Sequence, residues 1–185
     1  MTPGIQSSLF IAFSIIVISL SASLGSLNGI KVQADIPAFN GVTGRNKVVD
    51  ESFFKNKKAL IYFGYTACGG ICYPRVQLFK KIKQEFNEDV SFVFITIDPD
   101  NDTTERMYNY FDYAGDDFYS LIIKDKSFFD AIRSQLANGP DLKKDPVNHS
   151  DFVYFSDNGK LKSMYAGSLI DSNKIIEDIN LLKDI

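Results

Sequence analysis

The sequence predicts an α/β fold in which a central mixed sheet has helices on both faces. Three short apolar segments typical of buried strands alternate with segments of helical periodicity: 59–63, 90–97 and 119–123. Nearer the C-terminus, Asn158-Gly159 is a hairpin-turn signal between residues 151–155 and 161–165. The resulting order, β-α-β-α-β-α-β-β-α, implies a sheet covered by helices on both faces.

The first strand and helix occupy residues 59–86. Residues 59–63 (ALIYF) are rich in side chains that favour strands. Pro74 suits a first helical turn, and apolar residues then recur at helical spacing among lysines up to Phe86. This pattern predicts an amphipathic helix that begins near Pro74.

The second strand, 90–97, ends at the acidic turn 98–102. Asp102 and Glu105 have the spacing of a capping box, so Asp102 is expected to open a helix that continues to Phe111. Asp98 is expected to serve the turn.

The third strand, 119–123, is followed by a predicted helix at 127–136. Residues 137–148 contain one glycine and two prolines and predict a long loop, a kind of segment that often carries function. After the hairpin, apolar residues from Ile175 to Leu182 predict a last helix.

Composition excludes one class of partner. The chain has 185 residues, with 20 Lys and Arg against 23 Asp and Glu, and its net charge is −3. Nucleic-acid binding requires a basic surface, so no nucleic-acid partner is expected. With 45% hydrophobic residues, the chain has enough apolar material for one core.

The N-terminal segment differs from the rest, because residues 1–30 contain no charged side chain. Residues 8–27 are long and apolar enough for a membrane-spanning helix. Small residues at 21–25 equally suit signal-peptidase cleavage, so a retained anchor and a cleaved signal peptide both remain open. We therefore divide the chain into a signal peptide or anchor (1–30), a linker with short strands (31–58) and the main domain (59–185).

The only two cysteines, Cys68 and Cys72, follow the first strand directly. A separation of four residues would place both sulfurs on one side of a helical turn. The N-terminus of the following helix is expected to lower the pKa of the Cys72 thiol. The pair could form a structural disulfide, exchange thiols with a partner, or bind a soft metal ion such as Cu(I).

The only histidine, His149, lies between the predicted loop and the strand that begins near Asp151. Four-ligand zinc coordination is difficult to build from two cysteines and one histidine. Two sulfurs and one imidazole nitrogen would instead give a three-coordinate site, and imidazole suits copper. Spacing alone does not distinguish a ligand from an ordinary histidine.

Three blocks of sequence resemble the SCO/SenC family in the family's order. They span residues 61–74, 95–105 and 147–154 and include Cys68, Cys72 and His149. The resemblance implies a thioredoxin-like fold, a membrane-tethered domain, and a copper-carrying role in cytochrome c oxidase assembly. It also implies that Cys68 and Cys72 are the paired thiol ligands and His149 the imidazole ligand of copper.

The sequence departs from the family pattern at three places. Gly69-Gly70 replace the usual Pro and acidic residue between the cysteines, Ala67 replaces a common His, and Asn148 replaces the Asp before the ligand His. None of these changes removes a ligand. The glycine pair should loosen the loop.

Three functions are compatible with the sequence. In the favoured one, a copper chaperone uses Cys68, Cys72 and His149 and transfers copper to an oxidase subunit or its cysteine pair. In the second, a thiol-disulfide oxidoreductase uses Cys68 and Cys72 as a redox pair without obligatory metal. The third is a binding module with an inert disulfide. The short N-terminal extension lacks Arg, which favours a bacterial cell envelope, inner-membrane anchored or periplasmic, over a mitochondrion.

Overall fold

The computed structural model describes residues 27–86, 88–136 and 151–182. This part of the chain contains eight strands: β1 (Ile30–Asp35), β2 (Asn40–Thr43), β3 (Val48–Asp50), β4 (Lys58–Gly64), β5 (Val90–Thr96), β6 (Phe118–Ile123), β7 (Phe152–Asp157) and β8 (Lys160–Ala166). The described α-helices are α1 (Cys72–Glu85), α2 (Thr104–Tyr110), α3 (Lys126–Gln135) and α4 (Ser172–Leu181).

All eight strands form one mixed sheet in the order β1-β8-β7-β4-β5-β6-β2-β3. The central strands β4, β5 and β6 are parallel, whereas the other pairs are antiparallel. Every residue of β5 is buried, as expected for a strand covered on both faces. The predicted mixed α/β sheet is therefore confirmed.

Aromatic contacts show which helices cover each face. On one face, Phe79 of α1 packs against Phe92 of β5, with ring centroids 5.4 Å apart. On the other face, Phe129 of α3 packs against Phe63 of β4, with centroids 6.4 Å apart. Phe63 pairs with Ile95, three residues along β5 from Phe92, so the two contacts lie on opposite faces. Helices thus cover both faces of the sheet, as predicted.

The residues before β4 are part of this sheet. β2 and β3 form a hairpin that pairs with β6, and β1 pairs with β8 at the opposite edge. Short strands were expected in this region, and three are present. The boundaries 1–30, 31–58 and 59–185 stay a prediction about domain organisation.

The predicted hairpin is also confirmed. Asn158 and Gly159 form the two-residue connection between β7 and β8, with φ values of 49° and 75°. Positive φ at both positions suits the twist of an antiparallel pair, and Asn-Gly tolerates it at low cost.

The expected capping role of Asp102 is wrong. Helix α2 begins at Thr104, and its N-cap is Thr103, whose side chain accepts a hydrogen bond from the Arg106 N–H. The Asp102 carboxylate instead accepts hydrogen bonds from the amide and hydroxyl of Thr66 and from the hydroxyl of Thr96. Tertiary contacts have therefore displaced a local capping interaction.

Two predictions lie outside the described residues: the N-terminal apolar helix and the loop at 137–148. Within the described ranges, none of the helices combines the length and apolar character needed to cross a bilayer.

Candidate functional site

The two cysteines meet at the end of the central strand β4. Cys68 lies in the loop after Gly64, and Cys72 is the first residue of α1. The cysteines do not share a helical turn, contrary to the expectation, because the chain becomes helical only at Cys72. They nevertheless contact each other as hydrogen-bond partners, and no disulfide joins them. The loop carries Cys68 towards the helix by a turn in which its N–H donates to the Tyr65 carbonyl at 3.1 Å.

Both sulfurs are shielded from solvent. Cys68 is 9% exposed and Cys72 is 0% exposed. The Cys72 Sγ packs so close to the backbone of Gly64 that a Cβ at this position would lie 3.0 Å from the sulfur. The absence of a side chain at residue 64 therefore creates the space that Cys72 fills.

A phenol contacts the buried sulfur. Tyr62, two residues before Gly64 on the same face of β4, donates its hydroxyl to the Cys72 Sγ at 3.7 Å. The Tyr62 ring packs on Phe94 of β5, with centroids 5.9 Å apart, and Tyr110 of α2 packs on the same ring at 5.5 Å. The thiol pair is thus bordered by aromatic rings that carry hydroxyl groups.

Burial controls the acidity of Cys72. Desolvation, and to a smaller extent the contact with the Cys68 thiol, raise the pKa of the Cys72 thiol to about 12. Hydrogen bonds from the Tyr65 main chain and the Tyr62 hydroxyl oppose this increase. The expectation that the helix N-terminus lowers this pKa is wrong, because the cost of burying a charged sulfur exceeds the favourable dipole. The metal-free pair is therefore protonated at neutral pH on the Cys72 side.

A buried carboxylate holds the cysteine loop in place. Asp102, 4% exposed, accepts hydrogen bonds from the Thr66 N–H at 3.1 Å and from the Thr66 hydroxyl. It also accepts one from the Thr96 hydroxyl at 2.6 Å. Because Thr66 precedes Cys68 by two residues, this carboxylate ties the thiol loop to the end of β5.

An ion pair connects α1 to the strand that follows His149. The Arg75 Nε donates to Asp151 Oδ1 at 2.8 Å, and its Nη2 donates to Asp151 Oδ2 at 2.6 Å. Such two-point pairing fixes orientation as well as distance. Arg75 lies one turn into α1 from Cys72, and Asp151 directly precedes β7, which pairs with β4.

His149 itself lies outside the described residues. In the ranges 27–86, 88–136 and 151–182, no three His, Cys, Asp or Glu side chains form a group that could hold a metal ion. The described part of the site thus contains two adjacent sulfurs, and the roles of Cys68, Cys72 and His149 as copper ligands stay predictions.

Gly69 and Gly70, between the two cysteines, face open space. A Cβ on either would have no described atom within 4 Å. Among the described residues, packing therefore requires glycine at neither position.

Sequence reasoning missed the residues around the sulfurs. Tyr62 could have been identified, because strand periodicity places it on the same face as Gly64. The Arg75–Asp151 pair and the Thr66–Asp102 contact join residues 76 and 36 positions apart, and no local pattern indicates them.

Comparison with known proteins shows the family of the chain. The family model described as SCO1/SenC matches residues 30–183. A SCO2-like protein of Rickettsia conorii is 30% identical over 152 residues, which cover 76% of this chain and 73% of the relative.

Two solved structures share the fold. A SCO1/SenC family lipoprotein from Bacillus anthracis superimposes with a TM-score of 0.71 at 22% identity, covering 85% of this chain and 99% of that one. ScoI of Arabidopsis thaliana with copper bound gives a TM-score of 0.66 at 20% identity, covering 82% of this chain and 100% of that one. At these identities the likeness establishes the thioredoxin-like fold alone. The extent of the family match shows that the chain belongs to the SCO1/SenC family.

Proposed function

We propose that this protein is a copper chaperone that binds copper through Cys68, Cys72 and His149 and transfers it to a copper-accepting subunit of cytochrome c oxidase. The observation that carries this proposal is the pair of reduced thiols that contact each other at the end of β4. Two adjacent sulfurs suit a soft metal ion, and a copper-bound structure is known for the relative from Arabidopsis.

The chain direction supports the third ligand. Asp151 is held beside α1 by Arg75, and β7 pairs antiparallel with β4, so β7 begins at the edge of the sheet where β4 ends. His149 precedes Asp151 by two residues, a chain length of at most about 7 Å. This short separation from a residue held beside α1 supports His149 as the third ligand.

Burial of the sulfurs suits temporary storage of a metal ion. A cysteine binds copper as the thiolate, so loading must displace the thiol protons. The raised pKa of Cys72 favours protonation once the metal has left. Transfer would proceed by exchange of ligands, with the open Gly69-Gly70 segment providing the movement.

The proposed location follows from the N-terminal sequence and the relatives. We propose that residues 1–30 are a signal peptide or membrane anchor and that the domain faces the periplasm of a bacterial cell envelope. The relative from Bacillus anthracis is a lipoprotein, which is consistent with a position at the membrane. The partner would be the oxidase subunit or its cysteine pair.

A copper titration of the reduced protein tests the ligand set. We expect wild-type protein to bind one copper ion, and His149→Ala to lose tight binding while still forming the Cys68–Cys72 disulfide. Asn148→Ala, changed at the neighbouring residue, is the matched control and should bind like the wild type. Tight stoichiometric binding by His149→Ala would refute the assignment of His149.

A thiol-disulfide oxidoreductase is the second candidate. The mutual contact of the two thiols favours it, because disulfide closure then needs little movement. It predicts that the metal-free protein reduces a disulfide substrate over many turnovers and that His149→Ala does so equally well. A protein that turns over no such substrate is not an oxidoreductase of this kind.

A further inference from the structure

The hydroxyl of Tyr110 is an unusual feature of the thiol site. Tyr110 is the last residue of α2, and its hydroxyl oxygen is buried without a hydrogen-bond partner among the described residues. Burial of an unsatisfied hydroxyl is unfavourable, and most such groups find a partner. A partner that is present only at one stage of function would account for the arrangement.

The position of Tyr110 indicates which partner this is. Its ring packs on Phe94, which also contacts Tyr62. A Cβ added at Gly64 would lie within about 3.0 Å of Phe94, Tyr62 and the Cys72 sulfur, so these three groups surround one point. Tyr110 therefore belongs to the same cluster as the sulfur. Burial raises the pKa of Tyr110, and smaller contributions from Cys72 and Cys68 agree with this placement, so the hydroxyl keeps its proton.

We propose that Tyr110 is a positioning residue of the thiol pair, whose hydroxyl donates a hydrogen bond to a sulfur of the pair as negative charge develops there. Tyr62 already donates to Cys72 in the uncharged site. A second donor that engages only when a sulfur is charged stabilises the reactive form more than the resting form. This proposal rests on the proposed function in one respect: it takes Cys68 and Cys72 as the reactive groups of the site.

The test follows the reaction of the metal-free reduced protein with oxidised glutathione. The two cysteine thiols lose two protons and two electrons as their S–S bond forms. Oxidised glutathione takes up these two protons and two electrons as its own S–S bond breaks, and two glutathione thiols leave. The attacking sulfur carries negative charge in this reaction, so its rate reports the proposed hydrogen bond.

We expect Tyr110→Phe to slow this reaction about tenfold, the effect of losing one hydrogen bond to a charged group. Tyr154→Phe is the matched control. Tyr154 also has a buried hydroxyl without a partner among the described residues, but it packs against Phe63 on the opposite face, away from the thiols. This variant should react at the wild-type rate.

Two further measurements separate positioning from general structural damage. Thermal unfolding should show that Tyr110→Phe is folded, since the lost hydroxyl has no described partner in the resting site. In urea, where the protein is unfolded, wild type and Tyr110→Phe should react with oxidised glutathione at the same rate. A rate for folded Tyr110→Phe within twofold of the wild type, or equal slowing in Tyr154→Phe, would overturn the proposal. Because no metal is present, either result is independent of whether copper binds.

Discussion

Arg75 and Asp151 form a two-point ion pair that links the cysteine-bearing helix to the strand that follows His149. Both contacts are short, 2.8 Å and 2.6 Å, and both side chains are partly buried. The pair is the described contact nearest in sequence to His149. It therefore connects the two parts of the chain that must meet for the proposed copper site to form.

Arg75→Ala is expected to lower copper affinity about tenfold without abolishing binding, because the segment after His149 loses its attachment to α1. Isothermal titration of the reduced protein measures the change. Lys81→Ala is the control, since Lys81 on the same helix forms only an exposed pair with Glu85 at 3.8 Å. Wild-type affinity in Arg75→Ala would contradict this role for the ion pair.

Gly64→Ala should destabilise the protein by about 1–3 kcal/mol, because the added methyl would press on Tyr62, Cys72 and Phe94 together. Gly69→Ala should change the free energy of unfolding by less than about 0.5 kcal/mol, since open space surrounds that position. Urea unfolding of both variants provides the comparison. Equal losses would show that the packing around the Cys72 sulfur is not tight.

Asp102→Ala should lower the free energy of unfolding by about 2–4 kcal/mol, because it leaves the Thr66 and Thr96 donors without their buried carboxylate. Thr103→Ala removes only the cap of α2 and should cost about 1 kcal/mol. Asp102→Ala alone should also speed alkylation of the cysteines in the folded protein, since the loop that shields Cys68 is released. If the two variants lose the same stability and neither alters alkylation, Asp102 does not hold the thiol loop.

Cys72 should react slowly with iodoacetamide. In a Cys68→Ser variant at pH 8, we expect a rate at least tenfold below that of the same variant unfolded in urea. The thiolate is the reactive form, and burial, the largest cause of the raised pKa of Cys72, is kept in this variant and leaves less thiolate at pH 8 than an ordinary thiol has. Because the folded pKa is the higher one, the folded rate should still increase at pH values where the unfolded rate has levelled off. Equal alkylation rates of the folded and unfolded variant at pH 8 would show that the fold neither buries Cys72 nor raises its pKa.

The elements that the sequence predicted well are those with strong local patterns. The apolar strands, the amphipathic helix α1 and the Asn158-Gly159 turn are decided by residues within a few positions of one another. Asp102 shows the limit of this reasoning. Its spacing from Glu105 is that of a cap, yet its carboxylate binds Thr66, 36 residues earlier in the chain.

The sequence by itself determined the α/β class, the position of the thiol pair at the end of the first predicted apolar strand, and the family resemblance, because each depends on residue type and order. Only the tertiary structure decided the environment of that pair. Burial makes Cys72 a weaker acid than the helix N-terminus alone would suggest, and packing places Tyr62, Phe94 and Tyr110 around it. Such contacts join segments that are distant in the sequence. These segments exclude water, and the free energy of a buried charge or hydroxyl depends on that exclusion.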